Sequence, residues 1–435
     1  MTATRPRLVV LGLDGLPLGL AKALAGRLPN LARLMPFASS MEAELPELSP
    51  VNWTSFFTGA GPGEHGVFGF TILDPVLYSL RLATSRDVRC PTIFDRLGER
   101  GLVSRVLNLP NMAPAKPLRG MLVAGFVADN LAAAVYPPFL LGPLSAARYQ
   151  VEADTTRGAT EPEYLLAQLR LSLAGRRAAL DLLWPDLAWD LFVCVLTETD
   201  RLFHFLFPAV ERADHPLHEA CLSFLREWDA LIGEVLDRYD ALPEPKRLLL
   251  LADHGFCTLE LEVDLNRVLV EAGLLRLARL GVDEWDAGAI GEDTRVFALD
   301  PGRIYLHWQH RFTRGHVTKA DAQPLLRDVK ALLQGLTFQG RRVMNRVLEG
   351  QELYEGQAVG DAPDLVCVPE PGFDLKAKFN RTKVLGHFGR FGAHRPEDAI
   401  FGDSAGTGKP QRVRDVGRLV LEHFGIDKPA GGIIT

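Results

Sequence analysis

Arg247-Leu-Leu-Leu-Leu-Ala252 runs without a break into Asp253-His254-Gly255. A short apolar run closed by a polar stop reads as a buried strand, and one that ends on two metal-competent side chains and a glycine needs a chemical reason for that polarity. Four further runs have the same form: Arg7 to Leu13, Leu102 to Leu107, Met121 to Phe126 and Leu191 to Leu196. Helix-period stretches lie between and after them, at Pro162 to Leu183, Leu217 to Tyr239 and Ala320 to Leu333. Strands alternating with helices of this length predict an α/β chain, a three-layer α/β/α fold around a largely parallel central sheet. Ligands in such folds bind beyond the carboxyl ends of the strands. There Asp14 follows the first run, Thr197-Glu-Thr-Asp200 another, and Asp253-His254 a third.

The chain has 435 residues, 47% of them apolar and 23% charged, which is ordinary globular usage and excludes disordered and fibrous classes. A formal net charge of -6 supplies no broad basic field, so polymeric nucleic acid is not expected as a partner. Five scattered cysteines, Cys90, Cys194, Cys221, Cys257 and Cys367, include no C-x-x-C pair, which argues against a disulfide framework or a thiolate metal site. Asp14 cuts the first apolar run short for a signal peptide, and no segment approaches the roughly 18 to 20 apolar residues of a membrane span. A cytoplasmic enzyme is therefore the expectation. One catalytic domain is predicted over 1–435, with Pro- and Gly-rich insertions near 61–160 and 274–381 forming a cap over the substrate.

Ser49-Pro50-Val51-Asn52-Trp53-Thr54-Ser55-Phe56-Phe57-Thr58-Gly59 reads as a helix, with Ser49 as N-cap, Pro50 at the first helical position and Gly59 at the end. By itself this is a capping serine. The same end of a helix also presents free amides and a positive dipole to an anion. Asp200 and His204 are four apart, so a helix starting at the strand end sets both on one face. Carboxylate and imidazole together suit zinc, manganese or iron.

Five motifs in order resemble the type I phosphodiesterase/nucleotide pyrophosphatase family of the alkaline phosphatase superfamily. They are Gly12-Leu13-Asp14-Gly15; Ser49 to Gly59 with Pro62-Gly63-Glu64-His65-Gly66; Thr199-Asp200-Arg201 with His204; Asp253-His254-Gly255-Phe256; and Gly392-Ala393-His394-Arg395-Pro396. The resemblance implies an alkaline phosphatase-like fold and two divalent metal ions, zinc above manganese or iron. One would be held by Asp200, His204 and His394, the other by Asp14, Asp253 and His254 with Ser49. It further implies that Ser49, where many members carry threonine, is the nucleophile and becomes a phosphoserine, and that Asn52 contacts a phosphoryl oxygen. His387 competes with His394 for the last ligand position; the Arg395-Pro396 that follows favours His394. The substrate class implied is a small phosphate ester, nucleotide-like among others.

Within the superfamily, a sulfatase would carry proline two residues after its nucleophile and then arginine; Pro50 and Trp53 do not fit that pattern. A phosphomonoesterase or phosphomutase is the enzymatic alternative, and a catalytically inactive binding or regulatory protein on the same fold is the alternative of another class. Asn52 in place of an arginine fork favours a diester.

Overall fold

The structure, a computed structural model, describes residues 5–426. The eight strands of its central sheet are, in chain order, β1 (Arg7–Leu13), β2 (Ala38–Met41), β3 (Ser104–Leu109), β4 (Gly120–Ala124), β5 (Val135–Tyr136), β6 (Leu191–Leu196), β7 (Lys246–Leu251) and β8 (Ala399–Asp403). Across the sheet they lie in the order β2-β8-β7-β1-β6-β3-β4-β5. The run β7-β1-β6-β3-β4 is parallel, and β8, β2 and β5 add antiparallel margins. All five parallel strands come from the apolar runs read in the sequence, and the α/β expectation holds. Strands buried on both faces need no polar alternation, which is why Leu248 to Leu251 can be four leucines.

Five helices matter for the site: α1 (Ser49–Thr58), α2 (Pro162–Leu183), α3 (Glu198–Glu211), α4 (His218–Asp240) and α5 (Val413–His423). Helix α2 packs on α3 and α4, and α5 packs on α1. Gly59 ends α1 in a left-handed conformation at φ 66°, as the C-terminal glycine predicted. The start of α1 differs by one residue from the sequence reading. Leu48 occupies the N-cap position, Ser49 is already helical and Pro50 is second. With no capping bond to make, the Ser49 hydroxyl is left to the site. Strand β3 also starts later than predicted, because Val103 is bound to Asp190 instead, its amide donating to Asp190 Oδ2 and its carbonyl accepting from the Asp190 amide.

Gly12, on β1, is required by a close approach. A Cβ there would sit 2.6 Å from Trp53 Cη2 and 3.0 Å from a Val195 methyl, and Trp53 is completely buried. Gly12→Ala is expected to lower the unfolding free energy by about 1–3 kcal/mol, as overpacking a rigid core does. Urea denaturation measures this, and an unchanged midpoint would mean that Trp53 is free to yield.

The chain divides into two compact units. The first contains the central sheet and comprises residues up to Gly61, Thr84–Phe256 and the chain from His394. The second comprises Pro62–Ala83 and Cys257–Ala393. It has its own apolar core around an antiparallel sheet of Val296–Leu299, Arg303–Leu306, Leu365–Pro369 and Met344–Glu349, with the helix Lys319–Gln334 packed on the last of these strands. Of the stretch 61–160 read as an insertion, 84–160 belongs to the first unit and supplies β3, β4 and β5. No described helix is long and apolar enough to cross a membrane.

Candidate functional site

All of the metal-ligand and nucleophile positions expected from the sequence fall in the first unit: Asp14, Asp253 and His254 follow strand ends, Ser49, Asp200 and His204 lie on α1 and α3, and His394 lies within the short strand Gly392–Arg395. Asp14 leaves β1 with its amide donating to the Leu196 carbonyl at the end of β6, and Thr199 Oγ1 donates to the Asp14 carbonyl at 2.7 Å. Each of two carboxylates has one oxygen tied down. Trp53 Nε1 donates to Asp14 Oδ2 at 2.9 Å, and the Gly15 amide donates to Asp253 Oδ1 at 3.1 Å. The other oxygens, Asp14 Oδ1 and Asp253 Oδ2, are buried with no donor in hydrogen-bonding geometry. A buried, unsatisfied carboxylate oxygen is expensive unless a cation supplies what the protein does not.

The imidazoles point to the same conclusion. His394 Nδ1 lies 2.9 Å from the Glu47 carbonyl and His254 Nδ1 lies 3.1 Å from the Gly255 carbonyl. A carbonyl oxygen only accepts, so in each neutral ring Nδ1 carries the proton and Nε2 keeps a bare lone pair. Those lone pairs face other electron-rich atoms. His394 Nε2 is 3.2 Å from Asp200 Oδ1, while His254 Nε2 is 3.2 Å from Asp253 Oδ2 and 3.9 Å from Asp14 Oδ1. Lone pair against lone pair is repulsive, and a divalent cation between them converts the repulsion into coordination.

Two ligand trios meet the distance requirement for an ion, Asp14-Asp253-His254 and Asp200-His254-His394, each with its atoms within 4.8 Å of one another. His204, expected beside Asp200, has Nε2 3.5 Å from Asp200 Oδ1. His254 adjoins both groups: its Nε2 is 3.9 Å from Asp200 Oδ1, and its ring stacks on that of His394 at 3.6 Å between centroids. Ser49 Oγ lies 3.3 Å from His254 Nε2. His254 belongs to both trios but has one free nitrogen and can serve only one ion; Asp200, His204 and His394, whose ligand atoms lie 3.1 to 3.5 Å from one another, make up the set that fits a second divalent cation. His387, the competing candidate, instead has its ring beside Phe391 in the second unit.

Charge within this buried cluster is arranged unevenly. Burial, reinforced by the charges of Asp253 and Asp200, holds the Asp14 carboxyl well above the ordinary range. Burial and the Asp200 charge push Asp253 up to about 6. Burial acts on Asp200 in the same direction, but the charges of His204 and Arg201 outweigh it and keep its carboxyl well below the usual value. Burial takes His254 down to about 4 and, with His254 alongside, lowers His394 as well.

Asn52 needs correction as a phosphoryl contact. Its side chain is fully buried, with Oδ1 accepting from the Glu44 amide at 2.7 Å and Nδ2 directed at the carbonyls of Glu44, Pro46 and Leu48. The amide clamps the 44–48 loop, and that loop carries the Glu47 carbonyl that orients His394. Asn52→Ala is expected to lower the unfolding free energy by about 1–3 kcal/mol, because the Glu44 amide loses its partner in a buried place. Chemical denaturation reads this, and an unaltered stability would sink the clamp assignment.

Three side chains that frame the site carry no decisive sequence signal. Trp53 orients Asp14. Phe256 sets its ring 5.1, 5.8 and 5.0 Å from those of His204, His254 and His394. Arg201 stands inside the Thr199-Asp200-Arg201 motif, and a cation directly after a buried carboxylate was the readable hint.

A parallel α/β sheet with clustered carboxylates and imidazoles beyond its strand ends, beside a serine at a helix start, defines the class of the alkaline phosphatase-like hydrolases. More narrowly, the chain belongs to the type I phosphodiesterase/nucleotide pyrophosphatase family, whose sequence pattern matches residues 8–395. No curated protein sequence matches it. Among solved structures it is similar to phosphonoacetate hydrolase from Sinorhizobium meliloti 1021 in complex with phosphonoformate, at 16% identity and a TM-score of 0.64 over 97% of this chain and 96% of that one. The same enzyme in complex with phosphonoacetate gives 15% identity and a TM-score of 0.59, again over 97% and 96%. At these identities the likeness establishes the fold.

Proposed function

We propose that the protein is a two-metal phosphohydrolase that cleaves small phosphodiesters or pyrophosphates through a phosphoserine on Ser49. The observation that carries this reading is the Ser49 hydroxyl lying 3.3 Å from His254 Nε2, beside the Asp14 and Asp253 carboxylate oxygens that are buried without a donor. Asp200, His204 and His394 would hold one ion and Asp14, Asp253 and His254 the other, with His254 close to both. The ligand set suits zinc, and manganese or iron would also fit. When bound, such a pair supplies positive charge that lowers the pKa of the serine hydroxyl and stabilises the entering and departing oxygens.

The chain's own residues do the remaining work. Ser49 Oγ forms the new bond to phosphorus as the bond to one leaving oxygen breaks; with a diester the phosphoserine still carries the second ester group, and water then cleaves the serine–phosphorus bond, releasing a phosphomonoester and restoring the hydroxyl. The first turn of α1 directs its amides and dipole toward the anionic group. Glu47 and Gly255 fix the two imidazole tautomers, and Trp53 fixes the Asp14 rotamer.

Diester preference rests on the absence of a free guanidinium fork among these residues. Arg201 is already bridged between Asp200 and Glu152, so a dianionic monoester gains no bidentate partner from it. With metal-reconstituted protein, bis-p-nitrophenyl phosphate is expected to be cleaved faster than p-nitrophenyl phosphate by about tenfold, a difference of about 1.4 kcal/mol in activation free energy. Faster monoester cleavage would reverse the preference. No cleavage of either at full metal occupancy would favour a binding or regulatory role. A small nucleotide-like ester is the natural substrate class we favour, and a cytoplasmic location accords with the absence of a membrane-spanning helix among the described residues.

A further inference from the structure

Asp200 divides its two oxygens between different duties. Oδ1 faces the imidazoles, 3.2 Å from His394 Nε2 and 3.5 Å from His204 Nε2. Oδ2 receives Arg201 Nη1 at 2.7 Å. The other terminal nitrogen of Arg201 reaches Glu152 Oε2 at 3.0 Å, and the guanidinium lies over the Phe126 ring at 4.8 Å. The backbone leading into Glu152 is held by Arg176. Arg176, wholly buried on α2, donates Nη1 to the Gln150 carbonyl at 2.7 Å and Nη2 to the Val151 carbonyl at 2.9 Å. Its Nε then lies 3.2 Å from Glu198 Oε1, which also accepts from Ser172 Oγ at 2.6 Å. Glu198 is the first residue of α3, the helix that carries Asp200 and His204.

These contacts form a closed ring that leaves Asp200, passes through Arg201, Glu152, the 150–152 backbone and Arg176, and returns to the first turn of the same helix at Glu198. We propose that Arg201 is a positioning residue of the site, which occupies Asp200 Oδ2 so that the carboxylate can offer a cation only Oδ1, and that the Glu152-Arg176-Glu198 ring holds Arg201 in that place. The inference rests on the reading of Asp200 as a metal ligand. A buried ion pair adds little net stability over an apolar one, so a ring with two arginines and two glutamates, built against a ligand-bearing helix turn, is better explained by the geometry it enforces. Outer groups that orient a ligand typically change metal affinity by about 10- to 100-fold when removed.

Lysine separates positioning from charge. Arg201→Lys keeps the cation but cannot bridge two carboxylates with one planar fork. Zinc titration of the chelator-stripped protein by calorimetry is expected to show one of two sites weakened by about 10- to 100-fold in Arg201→Lys and in Arg201→Met, with the other site unaffected. Glu152→Gln, a partly exposed and near-isosteric change, should weaken the same site in the same direction by a smaller factor, and it keeps the proposal testable if an Arg201 variant fails to fold by circular dichroism. Wild-type affinity at both sites in the lysine and glutamine variants would overturn the proposal, as would unchanged metal binding with a raised KM, which would make Arg201 a substrate contact. A wild-type protein that takes up no zinc would instead remove the metal reading itself, and this inference with it.

Discussion

Replacing Ser49 by alanine is expected to lower the turnover of bis-p-nitrophenyl phosphate by at least about 10⁴-fold, since removal of a nucleophile leaves only the binding and electrostatic part of catalysis. The change deletes one oxygen from a buried position at the start of α1 and leaves the six carboxylate and imidazole side chains as they are. Metal content by mass spectrometry should therefore match that of the unaltered protein, and the unfolding free energy should fall by no more than about 1 kcal/mol, the cost of one lost hydrogen bond. Ser49→Thr carries the same hydroxyl on a β-branched side chain and is expected to keep measurable turnover. In a quenched reaction with bis-p-nitrophenyl phosphate the unaltered protein should show a p-nitrophenylphosphoryl group on Ser49 by peptide mass, absent in the alanine variant. Retained turnover in Ser49→Ala, with metal bound, would require the nucleophile to be water from the outset.

Periodicity made the sheet legible because its five parallel strands are buried on both faces and are correspondingly uniform in sequence, as in Leu248 to Leu251. Helix α2 is equally plain, predicted and observed over Pro162 to Leu183. Strand β3 was harder to bound, since Leu102-Val103 is as apolar as the strand itself and only the pairing of Val103 with Asp190 marks the true start. The division of the second unit was not readable, because nothing in composition separates 62–83 from 84–160, whereas contacts do. At the site, the ligand-type residues stand out for being polar where a buried strand ends. Their supports do not. The Glu47 carbonyl is backbone and has no sequence signature, Trp53 looks like any core aromatic, and Asn52 has the right chemistry for a phosphoryl contact until its four backbone partners are seen. Whether an amide faces a ligand or its own loop depends on a turn that residue types alone do not specify.

Removal of metal is expected to abolish turnover and to strip out a stabilisation that grows with pH. A cation present at a thousand times its dissociation constant adds about 4 kcal/mol per site to the native state. Its ligands must first lose their protons, and the groups that hold them are the carboxylates. Asp253, at about 6, is roughly half protonated at pH 6, and Asp14 is raised too, whereas His254, at about 4, is already neutral there. Zinc or manganese binding at pH 6 should therefore release protons from carboxylic acids, seen as a dependence of the calorimetric enthalpy on buffer ionisation, and affinity should rise from pH 5 to pH 7.5. In the metal-free protein the signs differ by group. Asp253 binds its proton more tightly folded than unfolded, so between about pH 4 and 6 its contribution falls as pH rises. His254 binds its proton more weakly folded, so between about pH 4 and 6.5 its contribution rises by a comparable amount. Those two terms offset one another, and the gap in melting temperature between metal-loaded and stripped protein should widen from pH 5.5 to pH 7.5 because binding tightens. A gap that is constant or narrows over that range, or zinc uptake at pH 6 without proton release, would mean that Asp14 and Asp253 are not the groups that meet the ion.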